Sequence, residues 1–129
     1  MECCLLASAS GSSYVQQQDC VKVSEMLYEE RTYTLHPGKT GDYLSLFERE
    51  GLEIQTRFLG QLKGYFTTES GTLNQVVHIW AYEDFEDRRD RRRQLWADPA
   101  WVAYADQVLP LITKMENRFL LPTKFSPMS

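Results

Sequence analysis

Apolar and polar positions change their spacing several times along this chain, and each change marks an element. Residues 26–35, MLYEERTYTL, alternate tyrosine, threonine and leucine with charged side chains, the period-two pattern of a strand. His36-Pro37-Gly38 reads as a turn. From Thr40, a candidate N-cap, the residues Leu44, Phe47, Gly51, Ile54 and Phe58 recur at helical spacing as far as Gly60, a stop. A glycine inside a helix costs about 1 kcal/mol relative to alanine, so Gly51 suggests close packing or a kink. Residues 61–69, QLKGYFTTE, read as a second strand, and residues 70–74, SGTLN, as a hairpin loop. Residues 75–83, QVVHIWAYE, form a third strand, the segment of highest β-propensity. A helix is expected from about Asp84 to Ala97. Pro99 then starts a new helical segment, in which Trp101, Tyr104, Ala105 and Val108 share one face and which Pro110 closes or kinks. Residues 114–121, KMENRFLL, read as the last strand.

The order βαββαβ predicts an α+β, ferredoxin-like fold: a four-stranded antiparallel sheet with its helices on one face. The third strand places Val77, Ile79 and Ala81 on one side and Val76, His78, Trp80 and Tyr82 on the other. Neither side is simply polar. A sheet buried on both faces is expected, and with it a homodimer formed through the face that the helices leave open.

With 129 residues the chain has room for one domain. Its net charge of −4 argues against general nucleic-acid binding. No apolar run approaches the ~20 residues of a transmembrane helix. The three cysteines, Cys3, Cys4 and Cys20, crowd one end and form neither a disulfide framework nor a zinc pattern, so a reducing, cytoplasmic setting is expected. Residues 1–25 lack a periodic apolar pattern, the positive start of a signal peptide and the arginines of a mitochondrial presequence. They read as a disordered extension to a domain over residues 26–129: a passive tail, an upstream start before Met26, or a segment palmitoylated at Cys3 and Cys4.

Residues 87–93, DRRDRRR, are basic in a net acidic chain. At 100° per residue Phe85, Leu95 and Trp96 mark an inward side, with Arg88, Arg89 and Arg92 among them and Glu86, Asp87, Asp90 and Gln94 opposite. Three readings follow. The arginine stems cover apolar surface; or they pair with carboxylates such as Glu29 or Glu116, or across a dimer interface; or they form the anion-binding lobe of a pocket between helix and sheet. On this wheel Arg92 should be largely buried and Arg91 should lie at the edge.

On the first strand Leu27, Glu29, Arg31, Tyr33 and Leu35 share a face. Glu29 and Arg31 fit a covered sheet only if paired, as a structural ion pair or as a polar pocket wall. His78, beside Trp80 and with Tyr65 expected on the neighbouring strand, is the candidate catalytic group, since an imidazole titrates near neutral pH; a structurally satisfied core histidine is the plainer reading. Candidate ligand-binding residues are Glu29, Arg31, Tyr33, Tyr65, Trp80, Arg88 and Arg92. No metal site, phosphate loop or Ser-His-acid order is present in the sequence, so no metal or cofactor is expected.

The stretches YEERTYTLHPGK, GYFTTESGTLNQVVHIWAY, RRDRRRQLWADPAW and ENRFLLP, in this order and spacing, resemble the motif series of the NIPSNAP family over about residues 26–127. The resemblance implies a dimeric α+β barrel, in which two sheets pack together with helices outside. That superfamily includes cofactor-free monooxygenases, haem-degrading enzymes and proteins without a known reaction. Three functions follow as expectations: a homodimer of unassigned activity binding a small organic ligand between sheet and helices; a cofactor-independent monooxygenase- or isomerase-type enzyme using His78; or an interaction module related to vesicle or mitochondrial traffic.

Overall fold

The computed structural model describes residues 26–128. The expected extension over residues 1–25 lies outside the described residues. Strand β1 (Leu27–Leu35) leads to helix α1, which runs as Thr40–Leu46, a π-helical turn Phe47–Gly51 and Leu52–Leu59. Strands β2 (Gln61–Thr67) and β3 (Gln75–Tyr82) follow. Helices α2 (Phe85–Ala97) and α3 (Pro99–Val108), a 3-10 turn (Leu109–Leu111) and strand β4 (Ile112–Leu120) complete the fold. The sheet is antiparallel in the order β2-β3-β1-β4. This is the predicted α+β, ferredoxin-like arrangement.

Local chemistry sets the boundaries. The turn into α1 closes with the Lys39 N–H donating to the His36 carbonyl at 3.0 Å, and Gly38 supplies the left-handed φ of +84° that it needs. Thr40 is the first helical residue and not the cap; the N-cap is Lys39, with no side-chain capping bond. The two later helices are capped by aspartates. The Asp84 carboxylate accepts from the Asp87 N–H, and the Asp98 carboxylate from the Ala100 N–H, each at 2.8 Å, with Pro99 in the first turn of α3.

Gly51 closes the π-helical turn. A Cβ at this position would lie 2.7 Å from Tyr104 Cζ and 2.9 Å from Phe47 Cδ1, so only glycine lets both aromatic rings pack here. The wide turn also resets the helical register. The buried stripe is Tyr43 and Leu46 before it, Phe47 at its start and Ile54, Gln55 and Leu59 after it, while Leu44 and Phe58 move to the margin. Trp101, Tyr104, Ala105 and Val108 are all buried on one face of α3.

Helix α2 differs from its sequence reading. Only Leu95 enters the core. Phe85 is 55% and Trp96 44% exposed; they pack edge-on at the periphery, against Phe119 and Trp101. Arg89 is solvated and paired with Glu86. One arginine, Arg88, ties the helix to the sheet by a paired contact with Glu29.

The opposite face of the sheet has two halves. Phe66, Val77 and Ile79 give an apolar half beside the β2 edge, while Glu30–Arg118 and Lys114–Glu116 ion pairs cover the other. The chain after β4 folds back at Tyr28 and Ile79, where Leu120, Pro122 and Met128 help line a groove of about 260 Å³. Among the described residues no helix is long and apolar enough to cross a membrane.

Candidate functional site

Strand alternation points Glu29, Arg31 and Tyr33 toward the helices, and the register sets them beside Trp80, His78 and Val76 of β3. Glu29 has no exposed surface. Arg88 holds it with Nε donating to Oε1 and Nη2 to Oε2, both at 2.9 Å. Arg31 Nη1 donates to Oε2 at 2.7 Å and Asn117 Nδ2 to the same oxygen at 2.8 Å. Burial alone would raise the Glu29 pKa, but the hydrogen bonds and positive charges of Arg88, Arg31 and Asn117's amide outweigh it and hold the pKa at about 2. The carboxylate is therefore ionised at neutral pH. Arg31 also donates through Nε to the Tyr33 hydroxyl at 2.9 Å.

The basic run resolves residue by residue. Arg88 reaches Glu29, Arg89 pairs with Glu86 and Arg93 with Asp90. Arg91 donates through Nε to Asp87 at 2.8 Å and through Nη1 to the Phe58 carbonyl at 3.2 Å, capping the C-terminal end of α1. It lies at the helix edge, as expected, with its side chain 41% exposed, and from there it ties α2 to α1. Arg92 is half-buried, and no hydrogen bond or ion pair joins its guanidinium to another described residue. Burial first, and then the neighbouring Arg31 charge, pull its pKa down. One carboxylate, Glu29, thus stands among three guanidiniums, those of Arg31, Arg88 and Arg92.

Arg92 and Arg31 border a cavity of about 50 Å³ between α1, α3 and the sheet. Its walls are aromatic: Tyr33, Tyr43, Phe47, Trp101 and Tyr104. Gln55 and Ala105 complete the interior, and the partly exposed Trp96, Leu109 and Met115 form the mouth. The Trp101 indole N–H is buried without a partner. Tyr43 and Tyr65 share a hydroxyl–hydroxyl bond of 2.6 Å behind the wall. Burial raises the pKa of Tyr43, Tyr65 and Tyr104, so these phenols keep their protons at neutral pH.

His78 is 1% exposed and stands apart from the cavity lining. Its ring stacks on Tyr65 with centroids 4.4 Å apart and meets Tyr33 edge-on. Nδ1 accepts from the Trp80 indole N–H at 2.8 Å. An indole can only donate, so the imidazole proton sits on Nε2, which has no partner. Burial, reinforced by the Arg31 charge, lowers the His78 pKa to about 3. Of the residues singled out in the sequence, the structure brings Arg31, Tyr33 and Arg92 together at the cavity. Glu29 and Arg88 stand behind them as the ionic support, and His78, Tyr65 and Trp80 form an aromatic layer in the core. Tyr43, Phe47, Trp101 and Tyr104 were not singled out as site residues. For Trp101 and Tyr104 the helical face was legible; that it borders a cavity depends on the π-helical turn in α1.

The NIPSNAP family model matches residues 28–127. The chain is 39% identical over 100 residues to a NipSnap protein of Caenorhabditis elegans, covering 78% of this chain and 19% of the relative. It is 34% identical over 108 residues to the human protein NipSnap homolog 2, covering 79% of this chain and 35% of that protein. The chain thus spans well under half the length of these curated relatives. Among solved structures, a NIPSNAP family protein from Agrobacterium tumefaciens is 46% identical with a TM-score of 0.79, covering 81% of this chain and 99% of the other. SnoaB, a cofactor-independent oxygenase from Streptomyces nogalater, is 21% identical with a TM-score of 0.55, covering 81% and 98%; at that identity the likeness is one of fold alone. The matched stretch runs through all four strands and all three helices, and the chain belongs to the NIPSNAP family.

Proposed function

We propose that this protein is a homodimeric NIPSNAP domain that binds a small organic ligand in the cavity between α1, α3 and the sheet. The observation that carries the reading is the composition of the cavity wall. Aromatic and aliphatic side chains make most of it, two arginines supply directed polar groups, and the mouth opens at the surface between Trp96, Leu109 and Met115. Apolar walls with a few placed polar groups are the usual build of a ligand site.

The same wall favours binding over acid–base catalysis. The described residues lining it include no carboxylate, histidine, cysteine or serine, and the phenols of Tyr43 and Tyr104 hold their protons well above neutral pH. His78 is a neutral imidazole with one nitrogen already engaged, which supports the aromatic layer behind the site more readily than proton transfer within it.

The homodimer reading rests on the open sheet face, where Phe66, Val77 and Ile79 lie without helical cover. Ligand-detected NMR against a fragment set tests the cavity. Leu109→Trp narrows the mouth from an exposed position and should remove the hits of the unmodified protein. Hits that bind the variant equally well would place binding elsewhere.

A further inference from the structure

Two hydrogen-bond donors on residues that line the cavity have no acceptor among the described residues. The Trp101 indole N–H is buried and unpartnered, in a residue only 7% exposed. The Arg92 guanidinium, which borders the same cavity, meets no carboxylate, carbonyl or hydroxyl among the described residues. The other cations of α2 show that this is not a general looseness of the helix. Arg88, Arg89, Arg91 and Arg93 each have a carboxylate partner within 3.1 Å. On Glu29, Oε1 accepts from Arg88 and Oε2 from Arg88, Arg31 and Asn117; the Tyr33 hydroxyl accepts from Arg31, and the Tyr82 hydroxyl, whose charge is felt at Arg92, is buried with no hydrogen bond among the described residues. Three guanidiniums around one carboxylate leave an excess of two positive charges beside the cavity. A half-buried guanidinium and a buried indole donor both carry a desolvation cost until an acceptor meets them.

We propose that this cavity is a carboxylate site. Its ligand is a small monocarboxylic acid with an aromatic or short aliphatic body, whose head group accepts from the Arg92 guanidinium and the Trp101 indole N–H. The planar head suits a guanidinium, and the body lies against Tyr33, Phe47 and Tyr104. A phosphate is the poorer match. It has no apolar body to lie against the aromatic rings of the wall, and the volume of about 50 Å³ suits a compact acid. This inference rests on the reading of the cavity as a ligand site.

The test uses the full chain, ¹⁵N-labelled, titrated with benzoate, phenylacetate and hexanoate, with their primary amides and with inorganic phosphate. Three tryptophans give three indole N–H resonances, and Trp101→Phe identifies the one that belongs to Trp101. Carboxylates should shift that resonance saturably, and the amides should bind at least tenfold more weakly. Arg92→Gln should weaken the acids at least tenfold and leave the amides unchanged. Because Arg92 has no partner among the described residues to lose, the melting temperature of Arg92→Gln should stay near that of the unmodified protein; Arg92→Met, which keeps the apolar stem, serves as a second variant. Acids that bind no better than amides, or as well to both Arg92 variants, overturn the carboxylate assignment and leave the cavity reading standing. Phosphate binding that depends on Arg92 in place of the acids also overturns it. If neither acids nor amides move the Trp101 resonance, both readings fall.

Discussion

Arg88 on α2 holds both carboxylate oxygens of Glu29 on β1, Nε to Oε1 and Nη2 to Oε2, each at 2.9 Å. This paired contact fixes the arginine-rich helix to the sheet at a point where the helix offers few apolar groups. With Arg31 and Asn117 it gives Glu29 four donated hydrogen bonds, none of them from Arg92.

The two arginines should therefore behave differently. Removing one partner of a buried ion pair costs about 3–5 kcal/mol, and Arg88→Ala is expected toward the lower end because Arg31 and Asn117 remain on Glu29. Glu29→Gln should fall in the upper part of that range, since it leaves three guanidiniums without a counter-charge. Arg92→Gln should stay within about 0.5 kcal/mol. Urea unfolding at neutral pH measures all three; a loss for Arg92→Gln equal to that for Arg88→Ala would show that Arg92 has a structural partner.

Acid should destabilise the fold in two overlapping windows. The folded-state pKa of His78 is about 3 against an ordinary 6.5, so the unfolded chain binds the extra proton and stability falls as pH drops from about 6.5 to 3. Glu29 has a folded pKa of about 2 against 4.5; its contribution, on the order of 3 kcal/mol at neutral pH, is present above 4.5 and lost as pH falls to 2. His78→Phe, though weaker at neutral pH for want of the Trp80 bond, should show a shallower slope in the upper window. An unchanged slope between pH 6.5 and 4.5 would mean that His78 protonates in the folded state.

Gly51→Ala pits two effects against each other. Alanine gains about 1 kcal/mol of helix propensity, but its Cβ would meet Tyr104 Cζ at 2.7 Å and Phe47 Cδ1 at 2.9 Å. Displacing two core rings typically costs 1–3 kcal/mol, so a net loss of about 1 kcal/mol is expected. The rings also line the cavity, and ligand affinity should fall with it. A gain in melting temperature would show that the helix relaxes to ordinary α geometry without disturbing the rings.

Arg91→Ala should cost about 1 kcal/mol, more than an ordinary surface change, because the Phe58 carbonyl at the end of α1 loses its donor at 3.2 Å. Urea unfolding of the variant checks it, and Arg91→Lys, a single charged point, should recover only part of the loss.

The sequence showed the fold plainly because most of its segments obey one period each. The alternation in β1 and β3, the Asp98-Pro99 break and the Trp101-Tyr104-Ala105-Val108 face all appear where spacing predicts them. Helix α2 was legible only in part: Arg88, Arg92 and Leu95 lie on the inward side where the wheel has them, but Phe85 and Trp96, to which a hydrophobic wheel gives weight, lie at the periphery. The pairing of Arg88 with Glu29 was one of three open alternatives, since the two residues lie far apart in the chain. Thr40 failed as a cap because the turn ends one residue earlier. The cavity was not legible at all. It depends on how far the π-helical turn at Phe47–Gly51 displaces one helix against another, which no residue spacing encodes.

The most direct measurement is a crystal structure of the protein grown with phenylacetate. Density is expected in the cavity between α1, α3 and the sheet, with a carboxylate oxygen within about 3.2 Å of the Arg92 guanidinium and of the Trp101 indole nitrogen, and with Glu29 still held by Arg88 and Arg31. A cavity holding only water, with Arg92 turned outward into solvent at saturating ligand, would contradict it.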